Sequence, residues 1–490
     1  NLFANPFTTT RPAIQLGERE QFLLLGEAFS DETLIADATV EFAFDSLDLT
    51  SITSYTERDI LVSRDASALT GSVSVDLSFA EADVTLPSNL RDTTDVEQFT
   101  QEFRLSSNNA TNWQWLVGAF FSDTKREYAQ RLPTPGYDAA TDAALGAGTA
   151  AGAANGFGAD SPFNSDLPYD IEQLAFFGEV TWDATEALAL TLGARYYDFD
   201  ETRTITTGGL FSAGDSNVVD NTSSDGVTPR VLLSYDVNDN VTLNAQASQG
   251  FRLGGVNDPL NTALCNPQDF VQFGGFQSYE DETLWNYEVG VKSRLGGTVT
   301  LNAAAFHSDI DDLQVTLDAG SCSSRISFNV PEAHTTGVEF ELSAQPVDGL
   351  DLSLAGSFLE AEFDSTVTDS AGAVLGGVQD GNRLASVPEV QLAAAATYFF
   401  PVAWGDGGSE VYVSASVAHI GDRITQPSDQ VAGAGNFVSG LPFAGATGNE
   451  VTAVDLELDA YQTVNLNAGL VRDSWELVAF INNLTDENAD

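Results

Sequence analysis

Apolar residues in this chain recur at every second position, over runs longer than an ordinary strand. The segment LALTLGARY at residues 188–196 places its three leucines on one face and Thr191 and Arg195 on the other. A period of two belongs to extended strands, whose successive side chains point to opposite sides, and not to helices with their period of 3.6. The chain is therefore predicted to be an all-β protein.

Short turns join these runs in pairs, and long segments separate the pairs. The dipeptide Asp348-Gly349 is a strong hairpin signal between two alternating runs. The long segments are rich in Gly, Asn, Asp and Pro, and they cover residues 134–168, 252–282, 365–387 and 422–460. A soluble sandwich mixes its loop lengths, whereas a transmembrane β-barrel has short turns at one rim and long external loops at the other.

The composition of the two strand faces also favours a membrane barrel. About sixteen runs of roughly ten to fourteen residues suit a tilted bilayer crossing, and aromatic residues cluster near their ends, as in an interfacial girdle. Amide side chains, which a watery lumen accepts, lie opposite the apolar face at Asn244, Gln246, Asn302, Asn465 and Asn467. We predict a large antiparallel transmembrane β-barrel. The alternative, a soluble β-propeller or solenoid, would need a repeat of about 40–50 residues that the sequence lacks.

The charge balance excludes several function classes. Lys and Arg number 19 against 72 Asp and Glu, for a net charge of −53, which is the wrong sign for nucleic-acid binding. A hydrophobic content of 43% argues against disorder, so the acid load belongs to a folded protein suited to a salt-rich habitat. Only two cysteines and three histidines are present, which argues against a Cys/His zinc site, and no nucleophile or phosphate-loop motif predicts an enzyme.

Several segments, taken in order, resemble the TonB-dependent outer-membrane receptors, which import iron–siderophore complexes, vitamin B12 and some sugars. They are LTSITSYTE at 49–57, FTQEFRLS at 99–106, WLVGAFF at 115–121, GARYY at 193–197, GFRLGGVN at 250–257, LWNYEVG at 284–290, AAAFHSDIDDL at 303–313, TGVEFEL at 336–342 and INNLTD at 481–486. Each segment alone is weakly specific, and their order and spacing together carry the resemblance.

The resemblance implies a 22-stranded barrel in the outer membrane of a Gram-negative bacterium, closed by an N-terminal plug that contacts a TonB-type energy-coupling complex. Residues 1–490 show about sixteen strands and neither a plug nor a contact box. We interpret them as the barrel domain, incomplete at both ends. The implied partners are outer-membrane lipid and lipopolysaccharide, the energy-coupling complex and a small-molecule ligand, with no nucleic acid, and we expect a monomer.

The segment SQGFRLGGVND ends a strand and turns into a long loop at the predicted external rim. Its glycine pair lets the chain bend there. Arg252 and Asn257 are candidates to bind an anionic ligand at the barrel mouth, together with Arg325, another rim cation. The alternative is a purely structural rim, in which Arg252 pairs with loop carboxylates.

Two further groups of residues are candidate sites. Cys265 and Cys322 lie in predicted external loops, and the oxidising route to the cell surface favours a disulfide between them over two free thiols. The carboxylates of Asp309, Asp311 and Asp312 follow a strand and could hold Ca²⁺ through oxygen ligands. Their spacing is not that of an EF-hand, and a solvated loop root is the alternative. No other cofactor is implied.

The favoured function is energised uptake of a scarce ligand, and the resemblance makes a ferric siderophore the first candidate. A protein of net charge −53 repels an anionic siderophore unless its rim cations are clustered, so a sugar, a peptide or a cobalamin-like ligand is an alternative. A passive porin, with typically about sixteen or eighteen strands, is a second alternative. A structural or adhesive surface barrel with Ca²⁺-bridged loops is a third.

Overall fold

A single antiparallel sheet of sixteen strands forms most of the molecule. The computed structural model describes residues 23–488 except 110, 263, 323, 370–371, 403–407, 439–448, 450 and 473. In chain order the strands are β1 (Ala28–Ala43), β2 (Leu47–Asp65), β3 (Asn89–Ser107), β4 (Trp113–Arg131), β5 (Asn164–Thr185), β6 (Leu188–Gly208), β7 (Val218–Asn238), β8 (Val241–Arg252), β9 (Gly255–Val256), β10 (Ser278–Tyr279), β11 (Glu282–Leu295), β12 (Val299–Asp318), β13 (Arg325–Val347), β14 (Leu350–Phe363), β15 (Val390–Val402), β16 (Ser409–Ile420), β17 (Arg423–Ile424), β18 (Asn436–Val438), β19 (Val451–Ala453), β20 (Glu457–Leu458), β21 (Tyr461–Arg472) and β22 (Trp475–Ile481).

Helices occur only between strands in the part of the chain that the structure describes. They are α1 (Ser67–Asp76), α2 (Glu81–Val84), α3 (Tyr137–Leu145), α4 (Thr149–Ala153) and α5 (Pro267–Phe273), with 3-10 turns at Gly320–Cys322 and Pro427–Gln430. None of these helices is long and apolar enough to cross a bilayer.

Strands that are neighbours in the chain are also neighbours in the large sheet. Its order is β1 to β8, then β11 to β16, then β21 and β22, while the six short strands form three separate pairs. The predicted all-β class and the predicted number of about sixteen strands are confirmed. Among the described residues no ladder joins β1 to β22. The longest strand, β13, has 23 residues, which is enough to cross a bilayer and continue beyond it.

Short connections lie at one end of the sheet, called the turn end, and the long ones lie at the other, called the loop end. Asp348 and Gly349 join β13 to β14 as predicted, and Gly349 has φ +81°, a conformation that favours glycine. At the loop end, residues 253–281 join β8 to β11 and residues 421–460 join β16 to β21. The β12–β13 connection at this end is short because both strands themselves extend into it.

The two faces of the sheet differ as the alternation predicts. On β5, Leu174, Phe176 and Trp182 are exposed on the side called the outer face. Gln173 and Phe177 alternate with them and lie on the inner face. The amides named above share the inner face through the cross-strand register. An apolar face turned outward and a polar face turned inward is the pattern of a transmembrane barrel.

The apolar part of the outer face occupies the half of each strand next to the turn end. It runs from Leu174 to Trp182 on β5 and from Trp113 to Phe121 on β4. Trp113 and Trp182 stack there with their ring centroids 5.5 Å apart. Towards the loop end the same face carries carboxylates such as Glu172. These apolar portions are the membrane-spanning segments, and their aromatic ends correspond to an interfacial girdle.

The loop end carries a folded region, called the loop cap, which consists of the connections and the strand ends that reach into them. Two clusters of buried apolar side chains form its core. One contains Phe79, Tyr137 and Phe211, and the other contains Phe328 and Phe363. Burying such a side chain contributes about 1.5–3 kcal/mol. The cap is therefore stabilised like a small water-soluble domain.

Candidate ligand-binding site in the loop cap

A cavity of about 670 Å³ opens in the loop cap. Inner-face residues of β2 to β6 form part of its wall. The rest comes from α1, from the ends of β12 and β13, and from the connections after β2, β4, β6, β8 and β12. Ligand sites typically measure about 300–1,000 Å³, so this cavity can hold a drug-sized molecule. The charged groups of the wall are Arg64, Arg325, Asp258 and Asp318, and leucine and phenylalanine side chains line much of the remainder.

Two guanidinium groups face this cavity. Arg64, on β2, forms an ion pair with Asp92 of β3 and keeps about half of its side chain exposed. Arg325, at the start of β13, pairs with Asp318 at 3.1 Å and is 78% exposed. Ion pairs between exposed side chains stabilise a protein by only about 0–1 kcal/mol. Both guanidinium groups can therefore turn towards an incoming anion at little cost.

Two side chains of β4 add hydrogen-bonding groups to the cavity. Gln130 donates to the Asp92 carboxylate at 2.8 Å and so helps to hold the partner of Arg64. Tyr128 lines the cavity as well, and burial raises the pKa of its hydroxyl well above the ordinary range. That hydroxyl is protonated at neutral pH and can donate a hydrogen bond to a ligand oxygen.

The loop that supplies Asp258 is anchored by Arg203, a fully buried side chain of β6. Arg203 Nη1 donates to the carbonyl oxygen of Val256 and to Asp258 Oδ1, each at 3.1 Å. Its Nη2 donates to the carbonyl oxygen of Asn257 and lies 3.4 Å from a carboxylate oxygen of Asp220. A buried charge is tolerated when it is paired and hydrogen-bonded, and these contacts hold the loop in one position.

Asn257 connects the same loop to β13. Its Nδ2 donates to the carbonyl oxygens of Ser327 and Phe276, at 2.6 and 3.0 Å. Its Oδ1 accepts the backbone N–H of Ser327 at 2.7 Å. The side chain is 8% exposed and is not among the residues that line the cavity. Asn257 therefore positions the wall of the cavity through contacts inside the protein.

Cys265 and Cys322 form a disulfide in the structure, with their Cα atoms 4.1 Å apart. The bond ties the β8–β11 connection to the β12–β13 connection, and both connections contribute to the cavity wall. Beside it, Asp269 accepts hydrogen bonds from the hydroxyl and the backbone N–H of Ser321, at 2.6 and 2.7 Å. These two bonds, that of the hydroxyl first, hold the pKa of Asp269 below its usual range. The two connections thus form one unit.

The three residues predicted to bind a ligand have different surroundings. Arg252 donates to Glu282 at 2.6 Å and to the carbonyl oxygen of Gln314 at 2.9 Å, which is the structural arrangement considered as the alternative. Neither Arg252 nor Asn257 lines the cavity, whereas Arg325 does. Contact between Arg325 and a ligand stays a prediction.

The candidate Ca²⁺ ligands lie inside β12 and not in a loop that follows it. The strand continues because its pairing with β13 extends to Asp318. Asp309 and Asp311 lie on the outer face, whereas Asp312 has φ +55° and is not paired with β13, although the register is the same on both sides of it. Asp309 contacts His307 Nε2 at 2.9 Å. Among the described residues, no group of three or more Asp, Glu, His or Cys side chains is arranged for a metal ion.

Sequence reasoning missed Arg64, Tyr128 and Arg203. Each lies on the inner face near the loop end of its strand, and the alternation already placed it on that side. A cation or tyrosine on the inner face, beyond the apolar segment of its strand, could therefore have been recognised from the sequence as a candidate site residue. This pattern does not show that β2, β4 and β6 bring these residues to one region, because that depends on the register of four ladders.

Comparisons of sequence relate this chain to known receptors. A family model described as "TonB dependent receptor-like, beta-barrel" matches residues 4–484. The metal-pseudopaline receptor CntO of Pseudomonas aeruginosa is 27% identical to this chain over 203 residues. That alignment covers 41% of this chain and 24% of the relative.

Solved structures share the fold. The ferric yersiniabactin uptake receptor FyuA from Yersinia pestis has a TM-score of 0.67 at 16% identity, and the match covers 95% of this chain and 58% of that one. The siderophore receptor PiuA from Acinetobacter baumannii has a TM-score of 0.61 at 16% identity, covering 94% of this chain and 61% of the other. The chain thus spans about three fifths of the length of these receptors.

The family match covers nearly the whole chain, and the structural likeness independently supports the same fold. Members of this family are outer-membrane proteins of Gram-negative bacteria, and they are receptors and transporters rather than enzymes. Both comparisons agree with the sixteen-stranded sheet, whose outer face is apolar and whose inner face is polar. Through its β-barrel, the chain belongs to the TonB-dependent receptor family.

Proposed function

We propose that this chain is the barrel of an outer-membrane receptor that binds an anionic metal–siderophore complex in the loop-cap cavity and admits it by TonB-energised transport. The observation that carries the proposal is the cavity of about 670 Å³, with Arg64, Arg325 and Tyr128 in its wall. The names of two relatives point the same way, since one is a metal-pseudopaline receptor and the other a ferric yersiniabactin receptor.

The chemistry of the cavity fits a chelate that carries oxygen anions on an organic frame. Guanidinium groups form short, strong hydrogen bonds with carboxylate and phenolate oxygens. Arg64 and Arg325 each supply one guanidinium group to the cavity wall. The Tyr128 hydroxyl adds a neutral donor. Leucine and phenylalanine side chains, among them Leu69 and Phe163, offer surface to the hydrocarbon part of the ligand. A small bare metal ion would leave most of this volume unused.

The strong acidity of the chain does not oppose an anionic ligand, because most carboxylates near the loop end of the wall are on the outer face. Glu57 lies directly across from Glu97, and Asp59 from Asp95, on that face. Except for Arg91 and Arg131, the arginines of β2 to β8 lie instead on the inner face. Charge is screened over about 8–10 Å at physiological salt, so a ligand at the mouth is affected mainly by the nearby guanidinium groups.

The apolar outer segments support residence in the outer membrane, where they contact lipid. Family membership further suggests a plug domain and a TonB-type complex as partners of the whole protein, and we expect the receptor to act as a monomer. A porin or an adhesive barrel would also have an apolar outer face. The family match and the cavity favour the receptor over both.

Binding to the purified full-length receptor tests the proposal. The probes are the ferric complexes of a tris-catecholate and of citrate, which are anionic, together with cationic ferric desferrioxamine B and neutral cyanocobalamin. We expect saturable binding of an anionic complex, measured by calorimetry. Arg325→Gln should weaken that binding by about tenfold, because one charge-assisted hydrogen bond is lost.

The matched control is Arg383→Gln. Arg383 is also a loop-cap arginine and pairs with Asp422 at 2.7 Å, but it does not line the cavity. It should leave the affinity unchanged. Binding of cyanocobalamin or ferric desferrioxamine B alone would contradict an anionic ligand and indicate a neutral or cationic one. Passive flux of every probe through the reconstituted protein would favour a porin.

A further inference from the structure

Two inner-face arginines form no ion pair with any carboxylate of the described residues, in a chain whose acids outnumber its Lys and Arg by 72 to 19. They are Arg126 on β4 and Arg195 on β6. Among the described residues neither forms a hydrogen bond or an ion pair, and the contacts of both guanidinium groups are with aromatic rings. The Glu201 carboxylate attracts Arg126 electrostatically but does not form an ion pair with it. In so acidic a protein, an arginine that forms no ion pair needs an explanation.

The other inner-face arginines of β2 to β8 show the ordinary arrangement, in which each forms an ion pair with a carboxylate. The pairs are Arg58 with Asp31, Arg64 with Asp92, Arg104 with Glu102, Arg203 with Asp258, Arg230 with Glu179, and Arg252 with Glu282. The lack of a partner is therefore a property of Arg126 and Arg195 and not of this face of the wall.

Aromatic rings hold both groups in place. The Arg126 guanidinium carbon lies 5.3 Å from the ring centre of Tyr128 and 5.1 Å from that of Tyr169. The Arg195 guanidinium carbon lies 5.5 Å from the ring centre of Phe120 and 5.7 Å from that of Phe177. A ring positions a guanidinium group but does not accept its N–H groups as a carboxylate would. Each group therefore presents fixed donors with no acceptor from the described chain.

The two positions lead from the cavity into the barrel. Tyr128 lines the cavity and also contacts Arg126. Phe120, which contacts Arg195, lies on β4 six residues nearer the turn end than Arg126. Six residues of strand span about 20 Å. An anion leaving the cavity would thus meet Arg126 first and Arg195 about 20 Å further along the wall.

We propose that Arg126 and Arg195 are two successive anion-binding stations on the inner wall, which bind the carboxylate or phenolate oxygens of a chelate on its way from the cavity into the barrel. This inference rests on the proposed function for its cargo. It adds to that function a route along β4 to β6. It also gives a role to Arg126 and Arg195, which ligand binding in the cavity does not require. Carboxylates of another domain inside the barrel are the competing partners, and the tests below separate the two.

The first test is chemical modification of the unmutated full-length receptor, with phenylglyoxal as the arginine reagent and citrate as the anionic probe. We expect Arg126 and Arg195 to react, as mapped by mass spectrometry, and saturating citrate to slow both reactions by about tenfold. Glycerol should not protect them. Arg104 and Arg230, which have carboxylate partners on the same face, are the internal controls and should show no citrate effect.

The second test is uptake of a radioactive ferric tris-catecholate by cells that carry the receptor. Arg195→Gln should leave surface binding within about twofold and slow uptake by about tenfold, and Arg195→Lys should restore part of the rate because it restores the charge. Arg230→Gln is the matched control and should transport normally.

Unreactive Arg126 and Arg195 would overturn the stations and indicate that another domain covers them. Reaction without citrate protection would overturn the stations as well, because it shows accessible groups that do not bind the anion. Normal uptake by Arg195→Gln would overturn their role in transport while leaving the proposed function intact. Citrate protection in a receptor that takes up no chelate would support the stations and refute the proposed function.

Discussion

The barrel wall and the loop cap are stabilised in opposite ways, although the same strands run through both. In the wall, apolar side chains such as Phe176 point outward and are exposed, and polar side chains point inward. In the cap, apolar side chains such as Phe328 are buried in a core. The wall therefore requires lipid around it to cover its apolar face, whereas the cap covers its own.

Strand β14 shows this contrast within a single element. Phe358 is on the outer face and 44% exposed, whereas Phe363, five residues on, is 1% exposed in the core of the cap. The two rings are an odd number of residues apart and point to opposite faces of the strand, and Phe363 also lies at the end of β14 that reaches into the cap. Hydrophobicity alone thus does not say whether a side chain of a barrel strand is buried, because its face and its position along the strand decide together.

The largest effect should come from Phe363→Ala, with Phe358→Ala as the matched variant. Removing the buried ring should destabilise the cap by about 3–5 kcal/mol, since it leaves a cavity. Removing the exposed ring should cost much less, because its neighbours are lipid or detergent. Hydrogen exchange of the receptor in detergent would report the cap and wall amides separately. Equal losses of protection in the two variants would contradict the division into wall and cap.

The double substitution Cys265→Ser and Cys322→Ser should act on the cap alone. The bond closes a segment of 57 residues, and a native disulfide typically stabilises by about 2–4 kcal/mol. We expect earlier thermal loss of cap protection, with the strand amides of the wall unchanged. Reduction of the unmutated protein should reproduce the shift. A matching loss of protection in the wall would mean that the two regions unfold together.

Acid should weaken the cap through Asp269. Its folded pKa is lowered by the Ser321 hydrogen bonds, so its contribution is present above the unfolded value of about 3.9 and is lost as pH falls through the folded pKa. Asp269→Asn should lower the melting temperature of the cap at neutral pH, and the difference from the unmutated protein should shrink below about pH 4. A difference that is constant with pH would exclude this carboxylate as its source.

The smallest effect should come from Glu97→Gln in the wall, where Glu97 of β3 lies directly opposite Glu57 of the neighbouring strand β2. Like charges directly opposite each other destabilise a strand pair, by about 0.2–1 kcal/mol. The substitution should therefore stabilise the wall at low salt, and about 1 M salt should abolish the gain through screening. Gln98→Glu on the inner face of the same strand is the comparison, since it adds a charge away from this carboxylate pair.

The wall was predictable from the sequence to a large extent. Alternation in segments such as 188–196 depends only on neighbouring residues, and it identified the class, the approximate strand number and the two faces. The hairpin at Asp348 and Gly349 is equally local, because the turn needs a residue that accepts positive φ. The acidic run in β12 was placed wrongly, in a loop, because pairing with β13 extends the strand past a point where composition suggested its end.

The cap was predictable only in outline, as polar connections with a pair of cysteines. Its contacts join residues far apart in the chain. Arg203 and Asp258 are 55 residues apart, and Asn257 and Ser327 are 70 apart. No local pattern encodes such pairs, so Arg203 was missed and Asn257 was assigned to a ligand. Of the predicted ligand residues, Arg325 lines the cavity.

A membrane barrel can be predicted from side-chain alternation, because strand periodicity and the polarity of each face depend on residues two positions apart. Which charges are paired follows only from the folded structure. Arg126 and Arg230 look alike in the sequence, yet one contacts tyrosine rings and the other a glutamate. Their surroundings come from the register of neighbouring strands, and a shift of one residue would exchange the faces and all of these partners.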